Sequence, residues 1–504
     1  TEVAVWQARA LEAAMRSGAN VVKVFHCMDD RRLMFRSKYS AYYALAMAGR
    51  SRMSILKSVD LGPLLPPDSK RVSFQSDWEG NWQRVPEWIA EDLQDVDFVV
   101  KFGMNLLRDP DSLPATHGVL SYHHGDPRRY RGRPAAFYEM ANQENVIGVI
   151  VQRLTNTLDG GTILARGFAP VTPWSYAQSL SNAYVAGIPL LGKAMATSLE
   201  GSSIPVEALG ANLTLPTNRE VIRVAGHMAS AKVGRLLYGA LREKNWRVGY
   251  VPHIFDPESV ADSGWAQHIE ELSVPVGHTF AADPCGSVGD GVLCEVMNAR
   301  TGKGGIYSHT AGAWRSVDLP VRGHLSYPQV VQHAGIKHVF PEMATIGPPT
   351  LFQLDEDEIT VSEQHQLRGL EAERLIDGTL HPHEGIWYLF GGRPSDAGFR
   401  LDLWWADDLF GQWKEHPCTP ICVDPRRARM AGPLLDSAGN LYRPEHYSET
   451  VVAPMRLEEH QGTSPVRRGP HTVLSVKGGF WVDFYRERWS PLAGVRRVLA
   501  RTRR

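Results

Sequence analysis

The chain opens with apolar residues at helical spacing in AVWQARALEAAMRSG and changes period at ANVVKVFHC. There, Val21, Val22, Val24 and Phe25 make a short apolar run of the length of a buried strand. The alternation repeats. PEWIAEDLQDV carries a helical pattern, DFVVKFGMNLL an apolar strand, and HGVLSYHH and NVIGVIVQRL two more. Helices alternating with short, continuously apolar strands predict an α/β, Rossmann-like sheet, mostly parallel, over residues 1–205. One further strand ahead of residue 1 would complete the pattern.

From about residue 245 the grammar changes. WRVGYVP, GVLCEVM, GGIYSHT, HVFPEMA, TLFQLDE, IWYLFGG, LDLWWAD, NLYRPEH and HTVLSVK are short, aromatic-rich runs separated by Gly, Pro, Asp and Asn. Many short strands with regular turns predict an all-β barrel, sandwich or propeller, and recurring aromatics favour the propeller. Between the two halves, Val221, Val224, Met228, Leu237 and Leu241 recur near helical spacing. The segment 206–244 therefore reads as a linker built on a long helix. The expected organisation is multidomain: 1–205 α/β, 206–244 linker, 245–485 all-β, and 486–504 a basic tail ending GVRRVLARTRR.

Composition narrows the function classes. Net charge is −1 over 504 residues, so no global field draws the chain to nucleic acid or anionic membrane. No apolar run reaches the roughly 18–20 residues of a membrane span. The opening lacks the basic start and apolar middle of a signal peptide, and it lacks a Met, which points to residues removed before Thr1. Five Cys do not make a disulfide framework, and Cys418 and Cys422 in CTPIC have no matching ligand pair close by for zinc. A reduced, cytoplasmic setting and no metal are the expectations.

The densest chemistry is SYHHGDPRRYRG, residues 121–132. It follows the strand GVLSY, where a parallel sheet presents its ligand-binding edge. Alternation puts Val119, Ser121 and His123 on one face. Downstream, Asp159 opens a Gly-Gly turn after another apolar strand, and its carboxylate is placed to orient His123 as a proton acceptor. Gly160 and Gly161 permit close backbone approach there. Asp126, before Pro127, reads as a turn residue.

HGVLSYHHGDPRRYRGRPAAFYE followed by TNTLDGGTIL resembles the 10-formyltetrahydrofolate-dependent formyltransferases, over roughly residues 1–200. Their shared pattern is Asn-x-His, a loop ending Tyr/Trp/Phe-Arg/Lys-Gly, and a later Asp-x-Gly. His123, Tyr130-Arg131-Gly132 and Asp159 fall on it. The family's asparagine, an oxyanion donor, is Ser121 here, and Ser121 or His124 would take its role. The resemblance implies acyl transfer from 10-formyltetrahydrofolate as cosubstrate to an amine, with His123 as base. Phe102, Gly103, Met104 and Leu106 would supply part of the pterin pocket. Tyr130, Arg128 and Arg131, with Arg129 and Arg133, would face anionic parts of the substrate.

In the second half, Asp283 and Asp377 each begin a strand before an aromatic run, and Glu342 lies in a PE step between them. Converging carboxylates suit glycoside chemistry. The elements ADP, GKG, HLSYP, PE, IWYLF, GQWKEHP and LYRP resemble the five-bladed propellers related to glycoside hydrolase family 43. The likeness is strongest to the N-terminal part of plant glucosamine inositol phosphorylceramide transferases, over about 245–485. It implies Asp283 as a base, with Asp377 and Glu342 in the other roles although their order departs from the hydrolases. His324, His381, His383 and His471 are available as metal ligands. Together the two halves suggest an N-formyltransferase for an amino sugar or glycosylated precursor, with the propeller binding or processing the saccharide. The alternatives are a degenerate glycan- or glycolipid-binding protein, and formyl transfer to a non-sugar amine or hydrazine. Partners are a small amine or saccharide, without nucleic acid or membrane insertion, and the chain could form oligomers.

Overall fold

A computed structural model describes residues 2–29, 36–50, 53–206, 208–253, 267–394, 399–433 and 471–491. The protein is multidomain, mostly sheet with some helix, and divides into Thr1–Val233 and Gly234–Arg504. The NLYRPEH strand and the basic tail GVRRVLARTRR lie outside the described residues. Among the described residues no helix is long and apolar enough to cross a membrane.

The first unit is organised around a four-stranded sheet. Its order is Thr162–Pro170, Val146–Arg153, Val119–His123, Val99–Lys101. Val99–Lys101 and Val119–His123 run parallel, but both other pairings are antiparallel. The expected mostly parallel sheet is thus a mixed one. The reason is the connection after His123: it holds only the short helix Phe137–Ala141, too little to carry the chain back over the sheet as a crossover. Parallel pairing does occur in Lys23–Cys27 with Lys70–Phe74 and in Trp82–Arg84 with Leu106–Leu107. The opening helix forms as its pattern predicts, Val5–Arg16, and buries Trp6, Ala10 and Ala14. Helix Asn218–Leu241 starts on a capping box in which Thr217 N–H donates to Glu220 Oε2 at 2.7 Å.

The second unit repeats one motif. Three successive antiparallel meanders begin with His278–Val288, Ser326–His333 and Ile376–His383. A fourth sheet joins Arg242–Val251 to the late strands Val473–Val476 and Gly479–Trp489, so chain positions far apart share one ladder. Two-residue hairpins at Ala311-Gly312, Ala334-Gly335 and Glu384-Gly385 hold both residues left-handed, the turn that matches strand twist. Each leading strand also carries a bulge with one left-handed residue at the same place: Asp283, Tyr327 and Asp377. The described residues do not show these sheets closing into a ring.

Candidate functional site

In the first unit, strand Val119–His123 brings Ser121 and His123 to one face, both buried. The turn after Val146–Arg153 delivers Asp159 in a left-handed conformation (φ 46°), one that Asp tolerates better than most residues. Its Oδ1 stands 3.4 Å from His123 Nδ1, and its Oδ2 accepts from Gly132 N–H at 2.7 Å. On its other side, His123 Nε2 lies 2.8 Å from the Tyr130 carbonyl. A carbonyl only accepts, so Nε2 is the nitrogen that carries the proton. The Nδ1 lone pair then faces the Asp159 carboxylate.

The remaining residues of this half divide into those near the pair and those turned away. His124 lies on the opposite face of its strand, packed edge-on against Trp6 at 5.2 Å and Tyr184 at 4.6 Å. Burial, with His123 nearby, takes its imidazole down to about 3, so it sits neutral in an aromatic core and away from Ser121. Arg131 Nε donates to the Gly210 carbonyl at 2.9 Å and its Nη1 to Leu158 O at 3.2 Å, tying the loop to the Asp159 turn. Arg128 grips Asp126, which also accepts from the Arg128 backbone as a turn residue does. Tyr130 hydroxyl donates to Glu144 at 3.0 Å. Phe102 stacks on Tyr122 and Met104 packs with Phe74 and Ile89, while Leu106 pairs with Trp82. Gly103 and Met104 are both left-handed, so the chain turns sharply there.

The second unit gathers a larger charged cluster. His471 Nδ1 lies 3.1 Å from Asp283 Oδ1 and 3.3 Å from Asp483 Oδ2, and Asp483 also accepts from the Asp283 backbone. Burial opposes charge on His471, but Asp483 and Asp283 outweigh it and raise the imidazole well above its usual range. Burial likewise raises the Asp283 carboxyl, and His471, Thr472 and Arg429 more than offset it, leaving the net shift downward. The three ligand atoms lie within 4.8 Å of one another, a spacing open to a cation as well as to the proton on His471. Arg429 clasps Asp377 through two nitrogens, and the Asp377 backbone donates to Glu342 Oε2 at 3.0 Å. Glu295, buried and near Asp283 and Glu342, is pushed well above the carboxylate range. His324 Nε2 is 3.8 Å from it. His381 and His383 lie toward the far end of strand Ile376–His383, whose second residue is Asp377, whereas Asp283 stands mid-strand in His278–Val288 and not at the strand start the sequence suggested.

Comparison with known proteins bears mainly on this second unit. The family described as glucosamine inositolphosphorylceramide transferase 1, N-terminal, matches residues 279–457. The Arabidopsis thaliana protein of that name is 29% identical over 126 residues, which is 24% of this chain and 16% of the relative. The chain therefore spans a small part of that relative's length. Among solved structures, WlaRD, a sugar 3N-formyl transferase, is similar with TM-score 0.24 and 14% identity, over 41% of this chain and 80% of that one. A GH43_1 enzyme from Xanthomonas citri complexed with xylose gives TM-score 0.24 and 15% identity, over 30% and 60%.

Sequence reading missed Lys101, Glu295, Arg429 and Asp483. Lys101 interrupts the apolar run VVKF, a visible signal. Arg429 sits in RRARM, where nothing local separates it from its neighbours. For Glu342, burial and the nearby Asp377 raise the carboxyl from 4.5 to about 8. Between those values the folded protein keeps a proton that the unfolded chain has lost, so stability falls as pH rises through the window. Glu342→Gln keeps the acceptor for Asp377 N–H and removes the titration. Its melting temperature should exceed wild type by a margin that widens from pH 5 to pH 8; parallel pH slopes would refute this.

Proposed function

We propose that the unit Thr1–Val233 transfers a formyl group from 10-formyltetrahydrofolate to the amine of an amino sugar, and that the second unit binds the saccharide. The observation that carries the first clause is the His123–Asp159 pair at 3.4 Å beside Ser121 on one sheet face. The acceptor amine attacks the formyl carbon and its proton passes to the His123–Asp159 gap. As the bond from carbon to the donor nitrogen breaks, that proton returns to the donor. Ser121 donates toward the formyl oxygen, and the backbone at Phe102–Leu106 would hold the flat ring of the cosubstrate, which brings the activated formyl group. The word glucosamine in the relative's name supports an amino sugar as the acceptor class.

For the second unit, five-bladed propeller architecture suits the repeated meanders, and binding suits the cluster better than hydrolysis. Asp377 is already neutralised by Arg429 and Asp283 by His471, so neither carboxylate is free to act as a base. The test is calorimetric titration of the full chain with a stable 10-formyltetrahydrofolate analogue, followed by mass spectrometry of amino-sugar acceptors. Analogue binding and a formylated product support the reading. Absence of both from the wild-type protein removes it.

A further inference from the structure

Lys101 closes the strand Val99–Lys101 and registers with Ser121 on the parallel neighbour, which in turn registers with Gln152 on the next strand. Registered residues on adjacent strands project to one face, so Lys101, Ser121 and Gln152 form a row across the sheet. His123 is two residues beyond Ser121 on that same face. Among the described residues, the charge that acts on Lys101 is Asp159, from the turn after Val146–Arg153, which is itself paired with His123. Among the described residues Lys101 makes no direct ion pair, although it feels the Asp159 charge. Gln152 is engaged elsewhere, its Oε1 accepting from Gly161 N–H at 3.0 Å. A half-buried ammonium is therefore placed at the sheet edge beside the hydroxyl and the imidazole, without a carboxylate clasping it. Burial lowers it to about 8 against the opposing pull of Asp159, which leaves it charged at neutral pH and close to losing its proton.

We propose that Lys101 is a catalytic residue of the transfer assigned above, an inference that rests on the formyl-transfer reading, and that its ammonium donates a hydrogen bond to the formyl oxygen as that oxygen gains charge. When the amine lone pair forms the new carbon–nitrogen bond, the carbonyl pair moves onto oxygen. Lys101 and Ser121 hold that oxygen. When the pair returns, the bond to the donor nitrogen breaks, and that nitrogen takes the proton given up by the amine. Lys101 keeps its own proton throughout, so its part is electrostatic.

The experiment compares full-length wild type, Lys101→Met and Lys101→Arg for analogue affinity and for kcat across pH 6–10. Lys101→Met should bind the analogue within a few-fold of wild type and lose about 10²–10³ in kcat. Wild type should lose kcat as pH rises past about 8, a limb that Lys101→Arg should lack because guanidinium keeps its charge. An active wild type with an equally active Lys101→Met overturns this proposal alone. So does a Lys101→Met that loses analogue affinity and kcat in equal measure, the mark of a structural role. A wild type that neither binds the analogue nor makes product overturns the parent reading and this one with it.

Discussion

Asp159→Asn is expected to lower formyl transfer by about 10²–10⁴ while leaving analogue affinity within a few-fold. The change is nearly isosteric, and Asn tolerates the left-handed backbone at 159 as well as Asp does. An amide oxygen still accepts from Gly132 N–H, so the turn keeps its anchor. What changes is the side facing His123. With Nε2–H committed to the Tyr130 carbonyl, Nδ1 is the nitrogen open to a proton. The carboxylate would share that proton across the 3.4 Å gap. An amide NH₂ donates into the Nδ1 lone pair instead, and the ring has no reason to take a proton from the attacking amine. Rate and affinity should therefore separate: kcat falls and analogue binding by calorimetry does not. Retention of wild-type kcat would sink the role of the pair, and joint loss of both would mean that Asp159 only shapes the loop.

How much of this was legible in the sequence depends on how local each cause is. Alternation along GVLSYHH is a property of one strand, and it placed Ser121 and His123 together. The same alternation sends His124 to the other face, so its candidacy as an oxyanion donor conflicted with the rule that found its neighbour. Asp159 was legible because a carboxylate before two glycines marks a turn whatever surrounds it. Strand polarity was not, since it depends on whether the segment between His123 and Val146 crosses the sheet or folds back beside it. Lys101 stood in plain view but is meaningful only through its cross-strand register with Ser121.

The second unit shows the same division. Short strands such as IWYLFGG follow from local apolar runs bounded by turn residues. The repeated bulge does not, because Tyr327 stands where Asp283 and Asp377 do and is chemically unlike them. Nor is the partner of Asp377 visible, since Arg429 lies 52 positions away in the chain.

That distant partner sets the second large effect. Arg429→Met is expected to destabilise the second unit by about 3–5 kcal/mol, read as a lower denaturation midpoint by tryptophan fluorescence of the full chain. The Asp377 side chain is 4% exposed, and the two nitrogens of Arg429 supply its opposite charge. Met fills similar space and offers neither charge nor donor, so the carboxylate is left in a poorly solvated place with Glu342 beside it. Most of the loss is thus the stranded charge and not the missing contact. The double change Arg429→Met/Asp377→Asn should recover part of it, because the Asp377 charge is gone and Asn accepts the left-handed backbone, while buried Asp283 and Glu342 still lose the field of Arg429. Arg429→Lys should fall between, keeping the charge without the two-nitrogen fork. A double variant as unstable as Arg429→Met would mean that Arg429 acts through packing. The pair also bears on chemistry, since a carboxylate held by guanidinium is a weak base. Wild type should therefore show saccharide binding without glycoside hydrolysis, and hydrolysis by the intact Arg429–Asp377 pair would overturn the binding role assigned to this unit.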